Sequence, residues 1–136
     1  MIVMWIQIVL ADTIGAANPQ QVAKTLEPII ARHGNQKLAC HFHDTRAMGL
    51  ANVYAAFNSG VTQFDASIGG LGGCHFAPGA SGNVATEGVA MLFAQMGLDT
   101  GIDMQSLLSA SDLAVELTGT TKGGRSRFWL DGQYRN

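Results

Sequence analysis

Two histidines separated by one residue, His41 and His43, are the first feature of this 136-residue chain that could carry chemistry. On a strand, side chains alternate, so the two imidazoles share a face while Phe42 takes the other. Their Cα atoms would lie roughly 6.5–7 Å apart. That spacing suits two imidazoles converging on one ion, and it suits equally a pair of core or loop histidines. The pair closes an apolar stretch just before Asp44, and strand ends of this kind hold the sites of parallel α/β folds. Asp12 and Thr13 stand at the corresponding place after an earlier apolar run. Asp12 can cap its turn by accepting backbone N–H bonds, or it can face a substrate. Asp65 shares a strand face with Gln63 and Ser67. Such a polar face is expensive to bury without partners, so Asp65 reads as part of a structural hydrogen-bond network.

The next feature is Gly69-Gly70-Leu71-Gly72-Gly73-Cys74, which runs on to Ala80-Ser81-Gly82-Asn83. Glycines at this density let backbone approach a ligand closely, or simply give a mobile loop. No Gly-Lys-Ser/Thr follows, so it is not a P-loop, and its spacing does not match a dinucleotide fingerprint. Cys74, in its middle, is open to four readings: nucleophile, acid, metal ligand or bystander.

The elements that must position these residues alternate. Residues 5–10 read as a buried strand and 11–17 as a polar turn. Asn18, Pro19 and Gln21 then mark a helix start, with Asn18 as N-cap and Pro19 in the first helical position. Val22, Leu26, Ile29 and Ile30 form its apolar stripe. Pro28 should bend this helix or end it early, and Gly34 is a plausible stop. Residues 38–43 form a second strand. Leu50, Val53, Tyr54 and Phe57 follow at helical spacing up to Gly60. Residues 61–68 are a third strand and 69–83 a long loop. Val89, Leu92, Phe93 and Met96 make another helical stripe closed by Gly97, and Asp103 can cap a helix running to about Thr118. Residues 119–136, with Lys122, Arg125 and Arg127, read as a polar tail. This order implies right-handed parallel crossovers and an α/β fold. Three strands cannot close a barrel, which needs about 250 residues.

The chain is 47% apolar and 13% charged, so much of its surface should be buried. A net charge of -2 gives no basis for nucleic-acid or basic membrane-surface partners. The two cysteines, Cys40 and Cys74, form no disulfide framework, which favours a reducing compartment. The apolar opening, residues 1–11, has no Lys or Arg before Lys24, unlike a secretory signal. It is also far shorter than the roughly 20 apolar residues of a spanning helix. A cytoplasmic location with no membrane partner is the resulting expectation.

Taken together, Leu10-Ala11-Asp12-Thr13-Ile14-Gly15, His41-Phe42-His43-Asp44-Thr45 and the glycine-rich string through Asn83 resemble hydroxymethylglutaryl-CoA lyase. Order and separations match over residues 7–118, and the cysteine inside the glycine-rich loop points to the lyase branch of its superfamily. The resemblance implies about three β/α units, the C-terminal part of a (β/α)8 TIM barrel. Residues 1–118 would be the barrel portion and 119–136 the tail. His41 and His43 would hold a divalent cation, Mg2+ or Mn2+, with Asn83 supplying an oxygen ligand. Cys74 would donate a proton, His41 would assist proton transfer, and Asp12 would orient substrate or a catalytic group. Thr13, Gly72 and Gly73 would contact an acyl-CoA substrate. Family members complete the metal site with an Arg-Asp pair on the first barrel strand, which has no counterpart in this sequence. Roughly five strands would therefore have to come from an N-terminal barrel half or from self-association. The implied reaction cleaves 3-hydroxy-3-methylglutaryl-CoA to acetyl-CoA and acetoacetate. A lyase for a related 3-hydroxy-3-alkylglutaryl-CoA, or an inactive remnant of the family, are the alternatives.

Overall fold

The computed structural model describes residues 7–73, 79, 82–120 and 124–135. Its sheet contains β1 (Ile8–Asp12), β2 (Leu38–Phe42) and β3 (Gln63–Asp65), in that order and all parallel. Two helices make the crossovers, α1 (Pro19–His33) and α2 (Gly49–Asn58). After β3 come a short 3-10 turn, Ile68–Gly70, and then α3 (Thr86–Gln95), α4 (Met104–Thr118) and α5 (Ser126–Tyr134).

The alternation of the strands divides the sheet chemically. Leu38, Cys40 and Phe42 point to the face covered by helices, where they join Val22, Leu26, Val53, Ala56, Val61, Val89 and Phe93 in one core. Ile8, Leu10 and Phe64 pack against that core from the neighbouring strands. The opposite face carries Ala39 and His41 of β2, which lie in register with Gln63 and Asp65 of β3. On it Gln63 and Asp65 are exposed and His41 is half-buried. A helix layer on one face of a parallel sheet, with polar side chains on the other, is how a sector of a (β/α)8 barrel divides outside from inside.

The helix ends follow their sequence signals. Asn18 Oδ1 accepts from Gln21 N at 3.0 Å and Gln21 Oε1 accepts from Asn18 N at 3.0 Å, which is the reciprocal capping box. Asp103 caps α4 through Ser106 N at 2.8 Å, and Gly119 ends α4 at φ 63. Pro28 costs α1 one backbone hydrogen bond, yet the helix continues to His33. The capping box and the burial of Val22 and Leu26 hold it.

The strands depart from expectation in placement. β1 lies further along than residues 5–10, because the ladder pairs Ala11 with His41 and Asp12 with Phe42; residues 1–6 lie outside the described residues. β3 is shorter than 61–68. Val61 N is held by the Ala56 carbonyl at the end of α2, and Ser67 pairs with Ala85 instead of a neighbouring strand.

The expected polar tail also behaves differently, because it contains α5. Leu130 is fully buried, and α5 packs on α3 and α4. Asp112 of α4 accepts from both Arg127 and Arg135, the latter at 2.6 Å, and Gln105 Nε2 donates to the Tyr134 carbonyl at 3.0 Å. Hydrogen bonds from Arg135 and then Arg127 hold the Asp112 carboxyl below its ordinary value of 3.8. A carboxylate with a lowered folded-state pKa stabilises the fold above its unfolded value and loses that contribution as pH falls through the folded one. Acidification below about pH 4 should therefore loosen α5, seen as a change in Trp129 fluorescence. Asp112→Asn should remove that acid step. Identical acid curves in the two proteins would show that Asp112 does not anchor α5.

Candidate active site

The functional candidates gather at the C-terminal ends of the strands, and a short return of chain brings them together. Beyond Phe42, His43 leaves the parallel ladder and forms an antiparallel bridge with Asn83. Asp44 N donates to the Gly82 carbonyl at 3.2 Å and Val84 N to the Phe42 carbonyl at 2.9 Å. Residues 82–86 then cross to β3, where Ser67 N donates to Val84 O at 3.2 Å and Thr86 N to Ser67 O at 2.9 Å. Gly82 makes the crossing possible. Its φ is +57, and a Cβ there would stand 2.2 Å from the Gly70 carbonyl oxygen.

His41 and His43 share a face as their spacing requires, with ring centroids 5.1 Å apart and an interplanar angle of 63°. His41 Nδ1 is hydrogen-bonded to Asp65 Oδ1. His43 is buried, and its Nδ1 has no hydrogen-bond partner among the described residues. Burial, and then the neighbouring His41 imidazole, push the His43 pKa below its ordinary 6.5, while the Asp12 carboxylate pulls it upward. A neutral imidazole is the form that can bind a cation.

Asn83 Nδ2 donates to the Leu71 carbonyl at 2.7 Å, which leaves its buried Oδ1 without a partner among the described residues. A Cβ at Gly72 would stand 2.7 Å from Asn83 Nδ2, so the glycine-rich backbone lies directly on the Asn83 amide. No three His, Cys, Asp or Glu side chains form a metal cage among the described residues. The donors present are two imidazoles and one amide oxygen. Two buried polar atoms lacking partners, beside a neutral histidine, fit a cation of the hard or borderline kind.

Asp12 has a local engagement. Its two carboxylate oxygens accept from Ala16 N at 2.8 Å and Ala17 N at 3.0 Å, so it caps the turn after β1. Arg46 grips the same turn from the other side, through the carbonyls of Gly15, Ala16 and Ala17. Gly15, at φ +67, lets the turn lie against Thr45, since a Cβ there would meet Thr45 Oγ1 at 2.7 Å. Asp44 likewise caps α2, accepting from Gly49 N at 2.7 Å. Thr13 is exposed on the turn, and Gly72 and Gly73 are exposed at the loop. Cys74 lies outside the described residues.

Several residues take part in ways that sequence spacing did not foresee. Arg46 is one. Asp65 is another: with Gln63 it lies exposed on the open face, paired with His41 rather than within a buried network. Glu87 is a third. It is fully buried on α3, and both its carboxylate oxygens accept from Gly69 N, at 2.9 and 3.0 Å. Its position four residues after Asn83 was the available signal. A cleft of about 650 Å3 opens beside this assembly, lined by Asp44, Gly72, Asn83, Ala85 and Arg125 among others.

A parallel β/α sector whose strand ends carry a histidine pair, an amide and a glycine-rich loop defines a part of an α/β-barrel protein. The chain belongs to the HMGL-like family, whose model matches residues 3–114. Among curated relatives it is 50% identical over 110 residues to hydroxymethylglutaryl-CoA lyase of Bacillus subtilis, covering 81% of this chain and 37% of that protein. It is 47% identical over 106 residues to (R)-citramalyl-CoA lyase of Chloroflexus aurantiacus, covering 78% of this chain and 33% of that protein. The solved structure of an HMG-CoA lyase from Acinetobacter baumannii, in complex with coenzyme A and 3-methylmalate, superimposes with a TM-score of 0.84 and 42% identity. That match covers 88% of this chain and 39% of the other. The chain thus spans well under half the length of these relatives, and the fold it shares with them is a part of their TIM barrel.

The crossing of residues 82–86 can be tested through its glycine. Gly101 also has positive φ (+70), but a Cβ there meets nothing within 4 Å. Gly101→Ala should cost about 1–2 kcal/mol, the strain of a left-handed alanine. Gly82→Ala should cost distinctly more in urea unfolding, because the clash with Gly70 is added. Equal losses would mean that the crossing yields easily.

Proposed function

We propose that this chain forms the C-terminal three β/α units of a hydroxymethylglutaryl-CoA lyase and carries most of that enzyme's catalytic groups. The observation that carries the reading is the placing of Asn83 beside His43, each with an unpartnered buried atom, at the strand ends where the glycine-rich loop arrives. Relatives of 47–50% identity named as acyl-CoA lyases support the substrate class. So does the related structure that holds coenzyme A.

In this reading His41, His43 and Asn83 hold a divalent cation, Mg2+ or Mn2+. When bound, the cation would draw together the substrate's 3-hydroxyl and a carboxylate or carbonyl oxygen and stabilise the negative charge that develops there. A base removes the 3-hydroxyl proton as the C2–C3 bond breaks. The hydroxyl carbon becomes the ketone of acetoacetate, and the bonding electrons pass to the acetyl-CoA enolate. Cys74 gives that enolate carbon its proton. An ordinary thiol has pKa about 8.5 and is protonated near neutrality. His41 takes part in proton transfer. Asp12 acts by holding the turn that carries Thr13 and by its charge on His43. Gly72 and Gly73 offer backbone to the acyl-CoA along the cleft.

The missing strands would come from an N-terminal barrel half or from self-association. Their seat would be the free edges of β1 and β3 and the apolar groove beside β3, about 660 Å3, lined by Phe57, Phe64, Val89, Phe93 and Ile102. A second reading, citramalyl-CoA as substrate, is favoured by the Chloroflexus relative, and a longer 3-hydroxy-3-alkylglutaryl-CoA by a Pseudomonas aeruginosa relative named as a 3-hydroxy-3-isohexenylglutaryl-CoA/hydroxy-methylglutaryl-CoA lyase, 38% identical. Either substrate would use the same residues. No helix among the described residues is long and apolar enough to cross a membrane, and the cytoplasm is the location we propose.

Acetoacetate release from hydroxymethylglutaryl-CoA with Mg2+ or Mn2+ should appear when the chain is combined with an N-terminal segment from the family. In that mixture Cys74→Ala should lower turnover by about 10²–10⁴-fold with metal affinity nearly unchanged, and His43→Ala should weaken Mn2+ binding. Full turnover in the Cys74 variant would remove the acid role. Unchanged Mn2+ binding in the His43 variant would remove the metal site.

A further inference from the structure

Asp65 stands in a place that neither the histidine motif nor the glycine-rich loop accounts for. The β2–β3 ladder makes it the register partner of His41, on the open face of the sheet. There its Oδ1 is hydrogen-bonded to His41 Nδ1. The contact is fixed by the ladder: two adjacent parallel strands bring these Cα atoms side by side with both side chains on one face. A carboxylate can only accept. The ring nitrogen facing it must therefore carry the hydrogen, and the imidazole's other nitrogen, Nε2, is left with its lone pair. His41 has His43 as its ring neighbour, with centroids 5.1 Å apart. Fixing one tautomer on His41 thus fixes which nitrogen it can offer beside His43.

The Asp65 side chain is 58% exposed and that of His41 26%. In the lyase reading this face lines the inside of the barrel. Gln63, two residues back on the same face, is the register partner of Ala39 and is hydrogen-bonded to Gln7.

Building on the lyase reading, we propose that Asp65 is a positioning residue. By accepting the Nδ1 hydrogen of His41, it locks the tautomer and ring orientation in which Nε2 is the nitrogen available to a divalent cation. Carboxylates acting through a ligating histidine commonly change metal affinity by about 10–100-fold, and that range is the effect expected here.

The test uses this chain with 15N-labelled histidine, combined with an unlabelled N-terminal segment from the family, and Mn2+ alone as the probe. Long-range 1H–15N spectra of the metal-free wild-type chain above pH 7.5 should show His41 protonated at Nδ1. Asp65→Ala should move the proton to Nε2 and weaken Mn2+ binding tenfold or more. Asp65→Asn, close in shape and uncharged, should give mixed tautomers and intermediate affinity. Gln63→Ala should change neither readout. His41 protonated at Nε2 in the wild type, or unaltered Mn2+ affinity in Asp65→Ala, would overturn the proposal. A wild-type chain with the Nδ1–H tautomer, switching in Asp65→Ala but taking up no Mn2+, would support the pairing and sink the metal reading instead.

Discussion

The antiparallel contact between His43 and Asn83 holds this site together. Every strand of the sheet is parallel, so the strand ends expose backbone groups that no neighbouring strand can satisfy. Residues 82–86 satisfy them by running across those ends, pairing first with Phe42 and Asp44 and then with Ser67. The same backbone bonds that close the sheet carry Asn83 to the histidines. Glu87, one residue further on, reaches back to Gly69 and ties the near end of the glycine-rich segment to the start of α3. Both ends of that segment are thereby anchored, whatever the residues between them do.

A second division follows from the alternation of side chains. Helices α1, α2 and α3 occupy one face, and every large apolar strand residue of the core faces them. His41, Gln63 and Asp65 take the other face. Stability and chemistry are thus assigned to opposite sides of the same five-residue strand, β2. Cys40 shows the contrast. One residue before His41, it is fully buried among apolar side chains, and desolvation, with the Asp65 charge second, pushes its thiol to about 11. It is an inert packing group on the helix side.

Local signals were legible where they are self-contained. Asn18, Pro19 and Gln21 announce the start of α1, Asp103 announces α4, and the spacing of His41 and His43 places both on one face. The implied α/β barrel sector is present, and the family resemblance agrees with the relatives found. What the sequence hid depends on distant partners. β1 reaches Asp12 because β2 is there to pair with it. α5 is anchored by one buried leucine and by arginines meeting Asp112, so its own periodicity is weak. Asp65 looked like a member of a buried network because strand alternation cannot say which face is open. Asp12 was open to two readings, and its bonds to Ala16 and Ala17 give it the turn-capping one. Pro28 argued against a long α1, but a capped and buried helix tolerates one lost hydrogen bond.

The approach of Gly124 to Ala85 bears on the order in which the site can be assembled. A Cβ at Gly124 would stand 2.4 Å from the Ala85 Cβ, and 3.7 Å from Glu87 Oε2. The segment leading into α5 is therefore laid directly over the strand-end crossing. A ribosome delivers residues 82–86 some forty positions before Gly124 and α5. The crossing emerges early and waits, uncovered, until the later segment arrives to press on it. The contact between the segment before α5 and the crossing is therefore among the last that synthesis of these residues permits.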